Sequence, residues 1–380
     1  MEEAALIPQR ALIDCLSAIQ DPRIERNKEH KLIDVLVIAI CAVICGAEHW
    51  TDCEEFGKCK EGWFRTFLEL KGGIPSHDTF GRVFAAIDPR QFQECFAEWV
   101  GGFIREGGLE HIALDGKAVR RSGSSASGKK AIHMVSAYAR AGGLVLTQSK
   151  VDDKSNEITA LPEVLKRLEL SGALVSIDAM GCQKEIAQQI TKQGGDYVLS
   201  LKGNQGKLAD AVEFHFIQAE RDRFELLEHD THTTVDGDHG RVETRRYDVI
   251  GDAGWLDAKK EWGGLTAVGR VVTERTGAEA TSRETRYFLM SRKLSAEDFG
   301  QAVRGHWGIE NSLHWLLDMA FDEDHCRVRS GYGAENFVVL RHMALNLLKQ
   351  GKRVKRGIKA RRKVAGWDES YLLELLKGQL

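Results

Sequence analysis

The chain has 380 residues, of which 43% are hydrophobic and 29% are charged, as is typical of a soluble globular protein with a substantial core. Its formal net charge of −3 argues against a surface coated all over by nucleic acid, but local basic patches are compatible with that total. None of the 8 cysteines forms a C-x-x-C pair, and the N-terminus lacks a signal-peptide pattern. We therefore expect reduced cysteines and a cytoplasmic protein that does not span a membrane.

Residues 1–105 are predicted to form a helical domain, because apolar residues recur there at helical spacing. The longest apolar run, residues 32–45, is too short for a membrane span and predicts a buried helix. Potential metal ligands recur every four residues in this region: Cys41, Cys45, His49 and Cys53. One straight helix cannot surround a tetrahedral ion with such a stripe, so core cysteines are favoured over a zinc site. Glycines within residues 101–108 predict a domain boundary at residue 105.

From residue 106 onwards the pattern changes to strands. A short strand is predicted to end at Asp115, and a later apolar strand at Asp178. The other predicted elements to residue 202 are strands at 133–139, 144–151 and 197–201 and helices at 157–168 and 184–193. Three strands joined by hairpins, followed by alternating strands and helices, predict an α/β fold with a mixed sheet.

Three further segments complete the predicted organisation. Residues 203–293 contain one helix and then alternating, strand-like stretches, which predict a β-rich insertion. Helical periodicity returns in residues 294–348, where the α/β core is expected to resume. Residues 349–380 form a basic C-terminal segment, with nine Lys or Arg between Lys349 and Lys363. In a DNA-binding protein such a run can contact phosphates, although it is more often a solvated surface.

Asp115 and Asp178 are candidate metal ligands. Ligands gather at the carboxyl ends of strands in α/β sheets, and an ionised carboxylate beside a buried strand is costly unless it is paired. Hard oxygen ligands favour Mg²⁺ or Mn²⁺, whereas the alternative role of each Asp is to cap a turn. A third ligand is expected on the helix around Glu310, which shares a face with His306, Trp307 and His314. Periodicity leaves two alternatives open, namely a transition-metal site of His306, Glu310 and His314, and replacement of Glu310 by Asp318, Asp322, Glu323 or Asp324.

Six sequence blocks carry a resemblance to a known family. They span residues 113–117, 154–158, 177–183, 200–205, 239–245 and 306–311. Together these blocks strongly resemble the H-repeat-associated (ISAs-type) insertion-sequence transposases of the DDE superfamily, from about Asp21 to the C-terminus. The resemblance implies an RNase H-like catalytic core interrupted by a β-rich insertion, plus an N-terminal helical transposase-associated domain. It also implies that Asp115, Asp178 and Glu310 are the three catalytic acids.

The resemblance further implies a DNA transposase. Such an enzyme hydrolyses phosphodiester bonds at the element ends and then transfers the freed 3′-OH into target DNA, with two Mg²⁺ or Mn²⁺ ions. Its partners would be double-stranded DNA, both terminal inverted repeats and target, bound by a homodimer at the nucleoid. The alternatives are a catalytically inactive DNA-binding descendant and a nuclease without strand transfer. Related transposases carry a Tyr, an Arg and a Lys around the Glu, where this chain has Val303, His306 and Leu317.

Basic, amide and aromatic residues near the acids are predicted to contact DNA. They are Lys117, Arg120, Arg121, Lys202, Asn204, Gln205, Arg241, Arg245, Arg304, His306, Trp307, Asn311 and His314. Arg304 is a candidate for the role of the family Arg from a shifted position. Trp307 and Trp315 are candidates for stacking on a splayed base, but core packing is favoured for both.

Overall fold

The computed structural model describes residues 11–101, 111–123, 128–152, 156–238, 241–277 and 280–376. Within these residues, helices surround a single mixed sheet of nine strands. The strands are β1 (His111–Val119), β2 (Ile132–Ala139), β3 (Leu144–Lys150), β4 (Leu174–Ile177), β5 (Asp196–Leu201), β6 (His229–Asp238), β7 (Arg241–Ile250), β8 (Ala267–Thr276) and β9 (Thr281–Met290). The helices are α1 (Leu12–Ser17), α2 (Leu32–Cys45), α3 (Trp50–Cys59), α4 (Glu61–Phe64), α5 (His77–Ala86), α6 (Pro89–Gly101), α7 (Glu157–Lys166), α8 (Lys184–Lys192), α9 (Gly206–Arg221), α10 (Ala296–Ile309), α11 (Trp315–Phe321), α12 (Gly333–Gln350), α13 (Ile358–Trp367) and α14 (Glu369–Leu376). The predicted mixed α/β architecture is confirmed.

The strand order is β3-β2-β1-β4-β5-β9-β8-β7-β6. β4 pairs in parallel with β1 and β5, and all other neighbours in this sheet are antiparallel. The β-rich segment therefore extends the same sheet, since β9 pairs directly with β5. The sequence pattern does not predict β6, whose residues are mostly Thr, His and Asp. Its pairing with β7 over ten residue pairs makes it a strand.

Strand β1 continues past Asp115, so the prediction that it ends there is wrong. Its parallel pairing with β4 stops at Leu114 opposite Ile177. On its other side, the antiparallel ladder with β2 runs on to Val119. The β2 ladder holds β1 in extended conformation beyond the end of β4, and this long-range pairing is invisible in a local pattern.

Helix α2 forms the centre of the helical region, as its apolar sequence predicts. Eleven of its residues are buried, and Cys41 lies in the same core as Cys53. Helices α12 and α13 pack on α2, so the two ends of the chain share one core. No single helix in the described residues is long and apolar enough to cross a membrane, and α2 and α3 meet that criterion only as a pair bent by 96°. The predicted boundary at residue 105 lies outside the described residues.

Two helices bring side chains to the sheet where β1 and β4 separate. Helix α7 packs on β2 and β3, and its N-cap residue is Asn156, whose side chain accepts a hydrogen bond from the amide of Ile158 at 3.2 Å. Helix α10 packs on β1 and β4, and its N-cap residue is Ser295, whose hydroxyl accepts a hydrogen bond from the amide of Asp298 at 3.0 Å. Residues Glu310–His314 continue α10 as a π-helical segment. A π-helical turn re-aims the side chains that follow it and often occurs at functional sites.

Candidate active site

Asp115 lies on β1, and Asp178 directly follows the neighbouring strand β4. Each directly follows the last parallel pair, Leu114 and Ile177. Oδ1 of Asp178 accepts hydrogen bonds from the amides of Met180 at 3.1 Å and Gly181 at 3.4 Å. One oxygen of Asp178 therefore caps the turn that follows β4, which is the alternative role predicted from the sequence. These hydrogen bonds hold the carboxylate in place, and the side chain also lines a neighbouring cavity, described below.

Glu310 approaches Asp115 from the π-helical segment. His314 lies between them, with its Nδ1 at 2.9 Å from Oε2 of Glu310 and 3.7 Å from Oδ2 of Asp115. One ligand atom from each of these three residues falls within 4.8 Å of the others. His314 is only 4% exposed, and its Nε2 has no described hydrogen-bond partner. Its predicted contact with DNA is therefore replaced by an internal position between two acids.

The electrostatics of this group favour a cation. Burial raises the pKa of Asp115 to about 6; the neighbouring carboxylates of Asp178 and Glu157 act in the same direction, while His314 partly offsets them. Burial also raises the pKa of Asp178, again with a contribution from Glu157. Partly buried carboxylates that oppose one another's ionisation are stabilised by a shared divalent ion. The donor set, with carboxylate oxygens dominant, fits Mg²⁺ or Mn²⁺.

Glu157 is a fourth acid of the site that the sequence analysis missed. It occupies the first turn of α7, its side chain is 18% exposed, and its Oε1 lies 2.5 Å from Nε2 of His133. A Cβ on Gly116 would lie 2.3 Å from that Oε1, so the carboxylate passes directly over the residue after Asp115. The signal in the sequence was the helix-capping residue Asn156 followed directly by an acid, within the family-like block of residues 154–158.

A cavity of about 260 Å³ opens beside the acids. In its wall, Oγ of Ser176 lies 2.8 Å from Nε2 of His111 and 3.1 Å from Nδ1 of His306. Burial lowers the pKa of each histidine to about 4, so both rings are neutral at physiological pH. His306 therefore contributes a neutral ring held by Ser176, where the family carries a cationic Arg.

The arginine of this cavity comes from the insertion. Arg286 on β9 lines the cavity and lies 5.0 Å above the ring of Trp307. Arg304, the residue expected from spacing, instead pairs with Asp236 of β6 at 3.1 Å. Trp307 is 51% exposed and Trp315 is 56% exposed, so the interpretation of both as core residues is wrong.

The alternative third ligands are engaged elsewhere. Nζ of Lys117 lies 2.6 Å from Asp318, and it also lies within 3.4 Å of two further acids, Glu323 and Asp324. Asp322 pairs with His325 at 2.6 Å. None of these four acids lines the cavity, whereas Glu310 does. Lys117, predicted to clamp phosphate, is thus the centre of an internal ion-pair cluster.

The other predicted DNA-contacting residues divide into two groups. Asn204 donates to the carbonyl of Ala179 at 2.7 Å and Gln205 to that of Cys182 at 2.9 Å, so both hold the turn after Asp178. Arg245 is likewise engaged, in ion pairs with Asp236 and Glu243. Asn204 is nevertheless exposed, and the remaining exposed members are Arg120, Arg121, Lys202, Arg241 and Asn311. Among these five, Lys202 lines the cavity.

The basic run from Lys349 to Lys363 is partly structural. Nζ of Lys349 donates to the hydroxyl of Tyr138 at 2.9 Å, and burial lowers its pKa to about 8. Arg362 is 4% exposed and donates to main-chain carbonyls of α2 and α11. The run is therefore not a uniform basic tail. Of the other departures from the family pattern, Val303 lines the cavity and Leu317 is 2% exposed in the core.

Comparisons with known proteins identify the family. The family model described as "Transposase DDE domain" matches residues 106–347, and the model described as "DDE_Tnp_1-associated" matches residues 13–100. The "H repeat-associated putative transposase YhhI" of Escherichia coli (strain K12) is 40% identical over 374 residues, covering 97% of this chain and 98% of the relative. The "Inactive transposase YbfQ" of the same strain is 40% identical over 74 residues, covering 20% of this chain and 88% of the relative.

A solved structure of a piggyBac transposase synaptic complex with hairpin DNA aligns with 97% of this chain and 77% of its own, at 11% identity and a TM-score of 0.42. The family assignment rests on the sequence matches, which span almost the whole chain. The chain belongs to the DDE transposase family and, within it, to the group of H repeat-associated transposases.

Proposed function

We propose that this protein is an active DNA transposase that cleaves the ends of its element and joins the freed 3′-OH to target DNA. The observation that carries the proposal is the convergence of Asp115 and Glu310, with His314 between them, beside Asp178. These residues come from two neighbouring strands and a helix that are distant in sequence. In the proposal Asp115, Asp178 and Glu310 would hold two divalent ions.

We also propose that β1 to β5 form an RNase H-like core. Support comes from three antiparallel strands followed by two strands parallel to β1, with α7 and α8 as the intervening helices. The insertion, residues 203–293, interrupts this core before the third acid. Residues 1–105 are proposed as the N-terminal helical domain and residues 349–380 as the basic C-terminal segment; in the described part of each, α1, α3 and α13 pack on α2.

The bound ions would stabilise the negative charge that develops on the attacking and leaving oxygens of the phosphodiester. The chain's own residues have supporting tasks. Asn204 and Gln205 hold the turn after Asp178, and that turn donates to the Asp178 carboxylate. His314 keeps Glu310 directed towards Asp115. A site organised before substrate arrives needs little rearrangement during the reaction.

DNA is expected to contact the exposed predicted residues. Lys202 at the cavity can neutralise a phosphate beside Asp178; burial raises the pKa of that carboxyl group, and the charge of Lys202 offsets part of the rise. Trp307, with Arg286 above its ring, offers a rigid surface on which an unpaired base can stack. Arg120, Arg121, Arg241 and Asn311 are proposed as further contacts. As the sequence predicts, we expect a homodimer acting on chromosomal DNA in the cytoplasm.

The test is incubation of the purified protein with duplexes that carry its own element ends and Mg²⁺, followed by mapping of the 3′ ends. Asp178→Asn and Glu310→Gln are each expected to abolish cleavage while leaving DNA affinity unchanged. Glu185→Gln, a matched change at an exposed position of α8, should cleave as the wild type does. Full cleavage by either active-site variant would refute the metal site. Binding without any cleavage by the wild type would favour the inactive, DNA-binding alternative.

A further inference from the structure

The segment after α11 presents two arginines that the sequence analysis did not consider. Residues 326–330 lie between helices and alternate in burial, with Cys326 and Val328 buried and Arg327 exposed. In an extended chain, alternate residues point to the same side, so Arg329 projects with Arg327. The segment is held in place at its end, because the amide of Tyr332 donates to the carbonyl of Ala85 on α5 at 3.0 Å.

This close approach of the segment to α5 requires a glycine at position 331. Its φ of +50° lies in the left-handed region, and a Cβ there would lie 2.4 Å from the carbonyl oxygen of Ala85. The two arginines are therefore carried by backbone that is packed tightly against the N-terminal helices, rather than by a loose loop. Rigid placement reduces the entropy that a ligand must overcome to order the side chains.

Two clefts meet at Arg329. One has a volume of about 650 Å³, and Arg82 and Arg327 line it together with Arg329. The other has a volume of about 490 Å³ and runs along the turn that follows β1. Hydrogen bonds from side chains to main-chain carbonyls join the two sides: Nε of Arg329 donates to the carbonyl of Arg121 at 2.8 Å, and Nζ of Lys129 donates to the carbonyl of Arg329. We call the cations of both clefts the basic track, which consists of Arg82, Arg120, Arg121, Lys129, Lys130, Arg327 and Arg329.

The basic track has little compensating charge. Arg120 pairs with Asp324 at 3.3 Å, but the other six cations have no acid within ion-pair distance among the described residues. Asp78 lines the larger cleft and lies near His77. The chain as a whole carries a net charge of −3, so this concentration of cations in a concave surface is local. Clefts lined by one sign of charge concentrate ligands of the opposite sign.

We propose that the basic track binds the phosphodiester backbone of the DNA duplex that leads away from the metal pocket. This inference rests on the proposed function. Strand β1 connects the two places directly, because Asp115 lies on it and Arg120 follows its last residue. Five residues of strand cover roughly 16 Å, so the track would begin about five base pairs from the cleaved bond.

The test measures affinity for an element-end duplex against salt concentration, in EDTA, so that cleavage does not interfere. Arg327→Gln/Arg329→Gln should bind more weakly, and the slope of log affinity against log salt should become shallower by about 1.8, since each phosphate contact contributes about 0.9. Lys192→Gln/Lys260→Gln removes the same charge at exposed positions on and beside α8, and should leave the slope unchanged. Arg327→Gln alone should give about half the effect, and it changes an exposed side chain without a described hydrogen bond.

An unchanged slope in both arginine variants, with thermal unfolding like that of the wild type, would overturn the basic track. The metal pocket is tested separately, because Asp178→Asn retains every cation of the track. If the wild type cleaves and the arginine variants leave the slope unchanged, the proposed function stands and the basic track is refuted. If the wild type cleaves nothing and the arginine variants make the slope shallower, the basic track stands and the proposed nuclease activity is refuted.

Discussion

Replacing Gly116 by Ala tests whether Glu157, the fourth acid of the candidate site, must keep its position beside Asp115. A Cβ at this position would lie 2.3 Å from Oε1 of Glu157 and 2.6 Å from Nε2 of His133. Non-bonded heavy atoms reach their best separation at about 3.5 Å, so the Glu157 carboxylate must retreat by roughly 1 Å. A displacement of that size near reacting groups costs about 10²-fold in rate, and overpacking costs about 1–3 kcal/mol in stability.

The assay is single-turnover cleavage of an element-end duplex, with DNA affinity and thermal unfolding measured in parallel. We expect Gly116→Ala to cleave about 10²-fold more slowly while binding DNA normally. Gly308→Ala is the matched control, since it lies on α10 beside Trp307 and its Cβ would meet no heavy atom within 4 Å. Wild-type cleavage by a folded Gly116→Ala protein would refute the reasoning. Glu157→Gln, which keeps the shape but removes the charge, separates displacement from electrostatics.

Three further changes test other parts of the structure. Burial raises the pKa of Asp115 in the folded protein to about 6, so the stability of the metal-free protein should fall as the pH rises from about 4 to 6. The free energy of unfolding of Asp115→Asn should therefore exceed that of the wild type by up to about 3 kcal/mol at pH 8, with no difference at pH 4. Denaturant titrations in EDTA measure both values. Asn204→Ala removes the bond that holds the Asp178 turn and should reduce cleavage about tenfold with unchanged DNA affinity, whereas a drop in affinity would restore its predicted DNA contact. Arg362→Met should lower the melting temperature by an amount equivalent to about 2–4 kcal/mol, and equal effects in Arg362→Met and the exposed neighbour Lys363→Met would contradict its structural role.

Part of the candidate site could be predicted from the sequence. Motif blocks selected Asp115, Asp178 and Glu310, and the structure brings the first and third together with His314. The pattern did not select Glu157 or Arg286, because neither stands beside a candidate acid in sequence. It also predicted a DNA contact for Lys117, because the acids that pair with this side chain lie about 200 residues away in sequence.

Periodicity and motif spacing are properties of contiguous residues, so the sequence alone determined the order of most strands and helices, the buried helix at residues 32–45 and the family. Contacts between residues that are far apart in the chain could not be predicted from such local patterns. The tertiary structure decided that β1 runs through Asp115, that the insertion extends the core sheet, that Trp307 and Trp315 face outward, and that Arg329 contacts the turn after β1. Each of these depends on a hydrogen-bonded or packed neighbour supplied by a distant segment, and such a neighbour overrides local preference.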